Sequence, residues 1–335
     1  MKNLFQITIV FLTLVFIFSL NSCKNPEKTS VVRKVKPWDK LILNVDDIEE
    51  AKAAKKKVQE RITYSKFYNK FGKLDTTTYL AERIFYNSNG KKEKQIQYLS
   101  TGDVDIAWSY EYENDVEKKI TAKNRFDQIV YERLVKFDND GDEIEIKEFN
   151  QKVKDYYKSF IRYDKNKLVK EIYTIDNFGR QLSKQTFEYN NERLSKIYEY
   201  DKLNQLVSEV ELQYNAEGKL TKEIRKTKPF DALSTKTVKY KDGKIYQIDD
   251  NEMLITYDYK GNNIIKEHYA IHGVGPQRRF DYFYNKKGLL KTKVSVSGIG
   301  KPELHIFYRY KYYWVIFSSQ FGKLTSPRFV EWISL

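Results

Sequence analysis

The sequence predicts an all-β protein: a long antiparallel meander of hairpin repeats, forming a coiled or spiralling sheet, with one short N-terminal helix. Aromatic residues recur along the chain at spacings of 25 or 26 residues, shortened once to 19. The unit between them, as in residues 187–196, has aromatics at i and i+2, an Asx-rich turn and then Leu-x-Lys. A fixed period of this length indicates a repeat architecture. The recurring aromatics are Tyr86, Tyr112, Phe137, Tyr163, Tyr189, Tyr214, Tyr240, Tyr259, Tyr284 and Tyr310.

Turn signals divide each period into two strands. Asn or Asp is followed by Gly within residues 87–90, 138–141 and 285–288. Asn and Asp bond to their own backbone in turns, and Gly adopts positive φ without a Cβ clash. Strands of about nine residues, roughly 30 Å long, then fill residues 63–311. About 20 such strands cannot form one flat open sheet, so the array must coil, spiral or close.

Composition supports strand and limits the chemistry. The chain has 27 Tyr and 20 Phe against 6 Pro and 14 Gly, which favours pleated surfaces. Its single Cys excludes a disulfide framework and a Cys-rich zinc site. The net charge of +14 would suit a polyanion or an anionic membrane. The cations are nevertheless spread over the repeats, as on a solvated surface, and we predict no nucleic-acid partner.

Residues 1–22 have the pattern of an export signal, with Lys2 followed by the apolar run from Leu4 to Leu20. The site at residues 20–23 resembles the lipobox of bacterial lipoproteins. That resemblance implies cleavage before Cys23 and lipidation of Cys23, so that acyl chains would anchor the protein in a membrane. Lys24 stands where Asp would resemble an inner-membrane retention signal, which implies the outer membrane. Whether the protein faces the periplasm or the cell surface stays open.

Three further segments flank or precede the repeats. Residues 23–44 are predicted to be a basic, extended tether. Residues 45–62 are predicted to be a helix that covers the first edge of the repeat array, because apolar residues follow at spacings of three and four. Residues 312–335 are predicted to be a C-terminal cap over the last edge. The apolar positions of the helix are Ile48, Ala51, Ala54, Val58 and Ile62.

The segments 200–206 and 214–220 resemble the YD repeat of RHS-type proteins and of related YD-like lipoproteins of Bacteroidota. They read Tyr-Asp-Lys-Leu-Asn-Gln-Leu and Tyr-Asn-Ala-Glu-Gly-Lys-Leu. The resemblance covers most of residues 63–311, with longer units and Lys in place of Arg. It implies a repeated β-hairpin fold, and the motif carries no catalytic residue.

The sequence offers little catalytic chemistry. His268 and His272 are four residues apart, which on one strand separates them by about 13 Å, too far to share one metal ion. The acidic turn 138–142 lacks the twelfth-position Glu of a calcium loop, since Phe149 occupies that place. We therefore predict no catalytic residue, metal or cofactor, and a binding or scaffold role in the cell envelope. Two alternatives stay open: a glycan-active enzyme with a site in a groove of the sheet, and an RHS-like toxin shell or immunity protein.

Four lysines give the one candidate binding site. If the repeats stack in register, equivalent positions recur every second strand, about 9.6 Å apart. Such a stripe would meet successive charges of an anionic glycan, so envelope polysaccharide or another envelope protein is the predicted partner. The alternative is that these lysines keep sticky strands soluble. The four residues are Lys170, Lys196, Lys222 and Lys291.

Overall fold

A computed structural model describes residues 45–113 and 116–313. They form one helix, α1 (Val45–Lys55), followed by twenty strands. The predicted all-β meander with one short N-terminal helix is confirmed. No helix in the described part of the chain combines the length and the apolar character needed to cross a bilayer.

The strands follow one another along the whole described chain. They are β1 (Val58–Phe67), β2 (Tyr79–Tyr86), β3 (Lys92–Tyr98), β4 (Val104–Glu113), β5 (Val116–Asn124), β6 (Ile129–Phe137), β7 (Glu143–Asn150), β8 (Asp155–Tyr163), β9 (Val169–Asp176), β10 (Gln181–Asn190), β11 (Arg193–Tyr200), β12 (Leu206–Tyr214), β13 (Leu220–Thr227), β14 (Ala232–Lys241), β15 (Lys244–Asp249), β16 (Met253–Lys260), β17 (Asn263–Ile271), β18 (Gly275–Tyr284), β19 (Leu290–Ser297) and β20 (Pro302–Tyr312).

The sheet closes on itself. Every strand pairs antiparallel with the next, and β1 also pairs antiparallel with β20. In that last pair Arg61 lies opposite Tyr310 and Ser65 lies opposite Ile306. Closure pairs the strand edges that an open sheet would leave for aggregation. Of the three outcomes that the sequence allowed, the structure adopts closure.

The closed sheet has two ends. The helix end carries the turns from each even-numbered strand to the next odd-numbered one, together with the start of β1, the end of β20 and α1. The far end carries the ten turns from odd-numbered to even-numbered strands, β1–β2 through β19–β20. Since each strand runs from one end to the other, the two sets of turns lie a full strand length apart.

A β-bulge recurs in all nine hairpins of the helix end. In the β10–β11 hairpin Glu188 opposes Lys196 while Tyr189 opposes Leu194, which leaves Ser195 unopposed. The same shift precedes the recurring aromatic of each other hairpin at this end. A bulge bends its strand and increases the local twist, which a sheet needs in order to curve into a closed wall.

Most turns are fixed by their own first residue. The side chain of Asn285 accepts hydrogen bonds from the backbone N–H groups of Lys287 and Leu289, at 2.9 and 3.1 Å. Gly288 follows with a φ of 78°, a value that a side chain disfavours. The same pattern begins at Asn87, Asp138 and Asp164. The predicted Asx and Gly turn chemistry is therefore confirmed.

The helix is shorter than predicted and lies in a different place. It ends at Lys55, and Val58 and Ile62 belong to β1, so the boundary at residue 62 was wrong. The chain reverses at Lys57, which has a φ of 54°, and the β-branched and aromatic residues that follow favour strand. The edge that α1 was expected to cover does not exist, because β1 pairs with β20.

Instead, α1 packs across the turns of the helix end. Val45 packs with Ile248 and Leu290, while Ala53 packs with Ile84 and Leu289. Its side chain Glu49 is buried, with the carboxylate accepting the backbone N–H of Leu290 at 2.6 Å. The remaining apolar side chains form clusters that run along the wall from one strand to the next.

The predicted leader 1–22, the tether 23–44 with Cys23, and nearly all of the predicted cap 312–335 lie outside the described residues. Tyr312 is the last residue of β20 rather than the first of a cap. The last edge that the cap was expected to protect is paired with β1.

Candidate functional site

Tyrosine hydroxyls join successive hairpins at the helix end. The Tyr189 hydroxyl donates to the carbonyl oxygen of Val169 at 2.8 Å, and Val169 stands opposite the preceding recurring aromatic, Tyr163. Seven recurring tyrosines make the equivalent bond to the preceding hairpin. They are Tyr163, Tyr189, Tyr214, Tyr240, Tyr259, Tyr284 and Tyr310.

The hydroxyls of these tyrosines keep their protons because the side chains are partly buried. Burial, with a smaller effect of Glu267, raises the pKa of Tyr259 to about 12. Burial likewise raises the pKa of Tyr189 and of Tyr284. The hydroxyls therefore remain donors at physiological pH. Phe137 occupies the same place in its hairpin without a hydroxyl. The recurring aromatics are thus structural elements of the wall.

A buried ionic cluster crosses strands β5 to β7. The Arg133 guanidinium lies 2.9 Å from a carboxylate oxygen of Glu117 and 3.9 Å from one of Glu148. The Tyr131 hydroxyl donates to Glu148 at 2.7 Å. Burial raises the pKa of Glu117, an effect that the positive charge of Arg133 partly offsets. The carboxylates of Glu117 and Glu148 therefore both lie beside the Arg133 guanidinium, buried in the wall of the sheet.

A second cluster around a buried carboxylate, that of Glu267, lies across β17 and β18. Glu267 accepts hydrogen bonds from the hydroxyls of Tyr269 and Tyr282, at 2.7 and 2.5 Å. This hydrogen bonding satisfies both carboxylate oxygens, as a buried charge requires. Neither carboxylate cluster could be predicted from the sequence, because the partners come from neighbouring strands whose register is not visible in the pattern.

The four candidate lysines do not share one position. Lys170 and Lys291 are the unopposed bulge residues of their hairpins, whereas Lys196 and Lys222 stand one residue further and oppose Glu188 and Gln213. Lys170 and Lys291 are exposed, while Lys196 and Lys222 are half-buried. Lys196 also contacts Glu209 at 3.1 Å. The register therefore contradicts the continuous stripe from which glycan binding was predicted.

The two histidines and the acidic turn that were considered as metal sites from the sequence do not come together in the structure. His268 lies 3.5 Å from Asp258, and His272 lies 2.8 Å from Asp249. Within residues 45–113 and 116–313, no group of three or more His, Cys, Asp or Glu is arranged to hold a metal ion. The acidic turn 138–142 is a hairpin tip, and the ammonium group of Lys167 lies 2.6 Å from Asp140. That ammonium group lowers the pKa of the Asp140 carboxyl.

A surface depression also lies at the helix end. It has a volume of about 460 Å³ and is lined by Asn190, Asn191, Arg193, Leu194, Ser195, Leu212 and Tyr214. Its lining contains amide, hydroxyl and guanidinium groups without a carboxylate. The carboxylate pair that glycoside hydrolysis uses is therefore not found in this depression.

The clearest feature outside the wall is a ring of apolar residues at the far end. We call this set the apolar rim. Its members occupy eight of the ten far-end turns, and all are exposed to solvent; Phe178 is 79% exposed and Phe230 is 89% exposed. The apolar rim consists of Phe71, Phe126, Val153, Phe178, Leu203, Phe230, Val274 and Ile299.

The turns of the two ends can be compared directly, because many share one geometry. In this turn the backbone N–H of the fourth residue donates to the carbonyl of the first. At the far end the third residue of such turns is Phe71, Thr101, Phe126, Lys152, Val153, Phe178, Leu203, Gly273 or Ile299. At the helix end it is Asn89, Asp140, Asn166, Glu217 or Lys287. The geometry itself therefore does not require an apolar residue at the tip.

Basic residues accompany the apolar tips. Lys70 precedes Phe71 and Arg125 precedes Phe126, and each cation lies over the neighbouring ring, at 5.0 and 4.7 Å from its centroid. Arg180 lies over the ring of Phe178 at 5.0 Å. The far end thus combines exposed apolar side chains with adjacent positive charge.

Comparison with known proteins gives no family. No protein-family model matches the chain, and no curated protein matches it. Among solved structures, a porin-like protein from Bacteroides uniformis is similar with a TM-score of 0.32 and 10% identity, over 76% of this chain and 97% of that one. A porin-like protein from Bacteroides vulgatus is similar with a TM-score of 0.28 and 11% identity, over 76% and 98%. The TcdB2–TccC3 structure without its hypervariable C-terminal region has a TM-score of 0.19 and 8% identity, over 73% of this chain and 20% of that one. We take no function from similarities at these scores.

Proposed function

We propose that this chain is a lipoprotein of the bacterial outer membrane, in which a lipidated Cys23 tethers a closed, non-catalytic sheet that serves as a binding scaffold. The apolar run that ends before the single Cys, and Lys24 after it, support the anchor and its membrane. The repeated aromatics and the buried carboxylates of the wall serve its structure, which leaves the turns as the binding surfaces.

The asymmetry between the two ends is the observation that carries this proposal. Val45 packs among the strands of the helix end, and the backbone N–H of Tyr313 donates to Lys57 at the same end, at 3.0 Å. The described chain therefore enters and leaves at the helix end. The far end, with the apolar rim, projects away from both points and is free to contact another surface.

Anionic glycans are no longer part of the proposal. Their predicted site depended on one shared position for Lys170, Lys196, Lys222 and Lys291, and the register separates that set into two positions. The half-buried Lys196 is further engaged by Glu209. The scaffold role depends instead on the exposed turns of the far end.

Replacing the lipidated residue tests the anchor. Cys23→Ser should leave the chain without acyl groups, so that washing membranes with high salt at alkaline pH releases it, whereas the wild-type protein stays in the pellet. Ser22→Ala is the matched control, because it keeps a small residue before Cys23. Fractionation and the mass of the mature N-terminus are the measurements. Equal retention of Cys23→Ser and wild type, with equal N-terminal masses, would remove the anchor from the proposal.

A further inference from the structure

We infer that the apolar rim docks onto an anionic lipid bilayer, with its side chains inserted at the boundary between headgroups and acyl chains. This inference rests on the proposed function, because it names the surface that the scaffold binds at its far end. It differs from the lipid anchor, since it concerns turns of the folded sheet and needs no covalent lipid.

The turns of the two ends differ in the side chains at their tips. One turn geometry occurs at both ends of the sheet, with polar third residues at the helix end and mainly apolar ones at the far end. Phe71 is 76% exposed and Ile299 is 79% exposed. Exposed large apolar side chains that gather on one side of a molecule, unlike single ones scattered over its surface, mark a contact surface. The apolar rim is therefore a surface that is covered in use.

The rim side chains are separate from one another. Successive far-end turns are two strands apart, about 9.6 Å, and eight of the ten turns carry a rim residue. A peptide or helix partner needs a continuous apolar groove, which separate tips around a ring do not form. A bilayer surface can receive many separate side chains at once, to a depth of about 5–10 Å.

Basic residues stand next to several rim residues in the sequence. Lys70, Arg125 and Lys202 each come directly before a rim residue and are exposed. Long basic side chains can remain at headgroup level while a neighbouring ring lies deeper, and anionic headgroups attract them. Asp176 and Asp201 accept backbone N–H groups of their own turns. Asp127 and Asp231 are exposed, but each is paired with a lysine of its own hairpin, Lys123 and Lys228 respectively. The exposed charge beside the tips therefore favours an anionic surface.

Vesicle binding by the unlipidated Cys23→Ser chain tests the inference, because acyl chains cannot contribute. We expect binding to vesicles of phosphatidylcholine with about one-third phosphatidylglycerol, and weaker binding to phosphatidylcholine alone. Adding Phe126→Ser, Phe178→Ser and Phe230→Ser should weaken binding to the anionic vesicles at least tenfold. Residues 1–22 are common to all these chains, so the difference reports on the rim.

The matched control removes exposed apolar residues elsewhere. Ile144 and Phe283 are 38% and 54% exposed and lie outside the apolar rim. Ile144→Ser with Phe283→Ser, in the same Cys23→Ser chain, should leave binding within about twofold of the parent. Equal loss in the two sets of variants, or no loss in either, would overturn the inference.

Depth of insertion separates the bilayer from a second copy of the chain. A Trp introduced by Phe178→Trp should be quenched by lipids brominated on their acyl chains, whereas one introduced by Phe283→Trp should not. Absent quenching, together with a concentration-dependent dimer that the triple rim variant abolishes, would assign the rim to self-association and overturn bilayer docking. Failure of the anchor would instead appear only in the fractionation of Cys23→Ser against wild type.

Discussion

At the scale of single residues, tyrosine hydroxyls complete the backbone hydrogen bonding where bulges interrupt the strand ladder. A bulge beside the recurring aromatic interrupts the regular pairing in all nine helix-end hairpins. In seven of them the next recurring aromatic along the chain donates to the carbonyl beside the bulge, as Tyr189 donates to Val169. A buried carbonyl without a partner costs about 1–3 kcal/mol, so these bonds matter beyond their modest net strength. Tyr recurs because the carbonyl beside each of these bulges requires a hydrogen-bond donor.

We expect Tyr189→Phe to lower the free energy of unfolding by about 1 kcal/mol, because the Val169 carbonyl loses its donor. Phe137→Tyr should act in the opposite direction, since it supplies a hydroxyl at an equivalent position. By analogy with the spacing in the other hairpins, that hydroxyl would reach the carbonyl of Glu117. Urea unfolding followed by circular dichroism measures both changes.

Tyr173→Phe is the control for this prediction. The Tyr173 ring stacks on Phe160, and its hydroxyl has no hydrogen-bond partner among residues 45–113 and 116–313. Its loss should change stability by less than about 0.5 kcal/mol. A loss as large as that of Tyr189→Phe would mean that the hydroxyl–carbonyl bonds are not what the recurring tyrosines contribute.

The aromatic spacing could be read from the sequence, but the partners of the hydroxyls could not. The spacing of 26 residues between Tyr163 and Tyr189 fits the repeat, and the Asx turn between them predicts the hairpin. The carbonyl of Val169 becomes available only because Lys170 is bulged out of the ladder. One unopposed residue also moves Lys170 and Lys196 to different positions, which is why the predicted lysine stripe failed.

Arg133 is a second test at this scale. Arg133→Met should lower stability by about 3–5 kcal/mol near neutral pH, because Glu117 and Glu148 lose their shared cation inside the wall. Burial already raises the pKa of Glu117, and loss of Arg133 would raise it further. A raised carboxyl pKa means that the folded state retains its proton more tightly. The deficit relative to wild type should therefore be smallest in acid and grow as the pH rises above the pKa of Glu117 in the wild-type fold, which burial already raises above 4.5.

Neutral replacements provide the matched control for Arg133. Adding Glu117→Gln and Glu148→Gln to Arg133→Met removes both uncompensated charges, so most of the neutral-pH deficit should be recovered and the pH dependence reduced. Thermal unfolding measured from acid to neutral pH gives both quantities. A deficit that is independent of pH and unaffected by the two glutamines would assign the role of Arg133 to packing alone.

At the scale of elements, α1 is fixed to the helix end by close contact with a turn. An added Cβ on Gly90 would stand 2.5 Å from the Cα of Ala54, and Gly90 has a φ of 79°. Glu49 adds a buried hydrogen bond to the β18–β19 turn. The end of the helix was mispredicted because Val58 and Ile62 continue its apolar spacing, while the strand pairing that recruits them is made by distant residues of β20.

Gly90→Ala tests this docking against a matched glycine. Gly102 has a φ of 92°, and an added Cβ there meets nothing within 4 Å. Gly102→Ala should therefore cost only the backbone strain of about 1–2 kcal/mol, whereas Gly90→Ala should cost about 1–3 kcal/mol more. Hydrogen exchange should also accelerate in α1 for Gly90→Ala alone. Equal destabilisation by the two substitutions, with α1 equally protected, would contradict the packing of α1 on this turn.

At the scale of the whole molecule, the fold depends on one non-local pairing. Nineteen of the twenty pairings join strands that follow each other in the chain, and these could be anticipated from turn chemistry such as Asn285 with Gly288. The pairing of β1 with β20 joins residues 237 to 254 positions apart, so no local pattern signals it. An even number of strands lets this last pair be antiparallel as well.

Closure also arranges the turns of each end in a ring. In an open or spiralling sheet, the turns of one end would not form a ring, and the apolar rim would not face a single surface. The exposed tips Phe71 and Phe230 could be read from the sequence as turn residues. Their common side could not, because it follows from the alternation of strands around the closed sheet.

A disulfide across the closing pair tests this central claim most directly. Ser65 and Ile306 are directly opposite residues of β1 and β20, and such pairs have Cα separations of about 4.5–5.5 Å, within disulfide range. In the Cys23→Ser chain, Ser65→Cys with Ile306→Cys should form an intramolecular disulfide under mild oxidation, detected by peptide mass mapping. Ser65→Cys with Ser183→Cys, which places the second thiol in β10 away from the closing pair, should stay reduced. Free thiols at both 65 and 306 in the folded monomer would contradict closure.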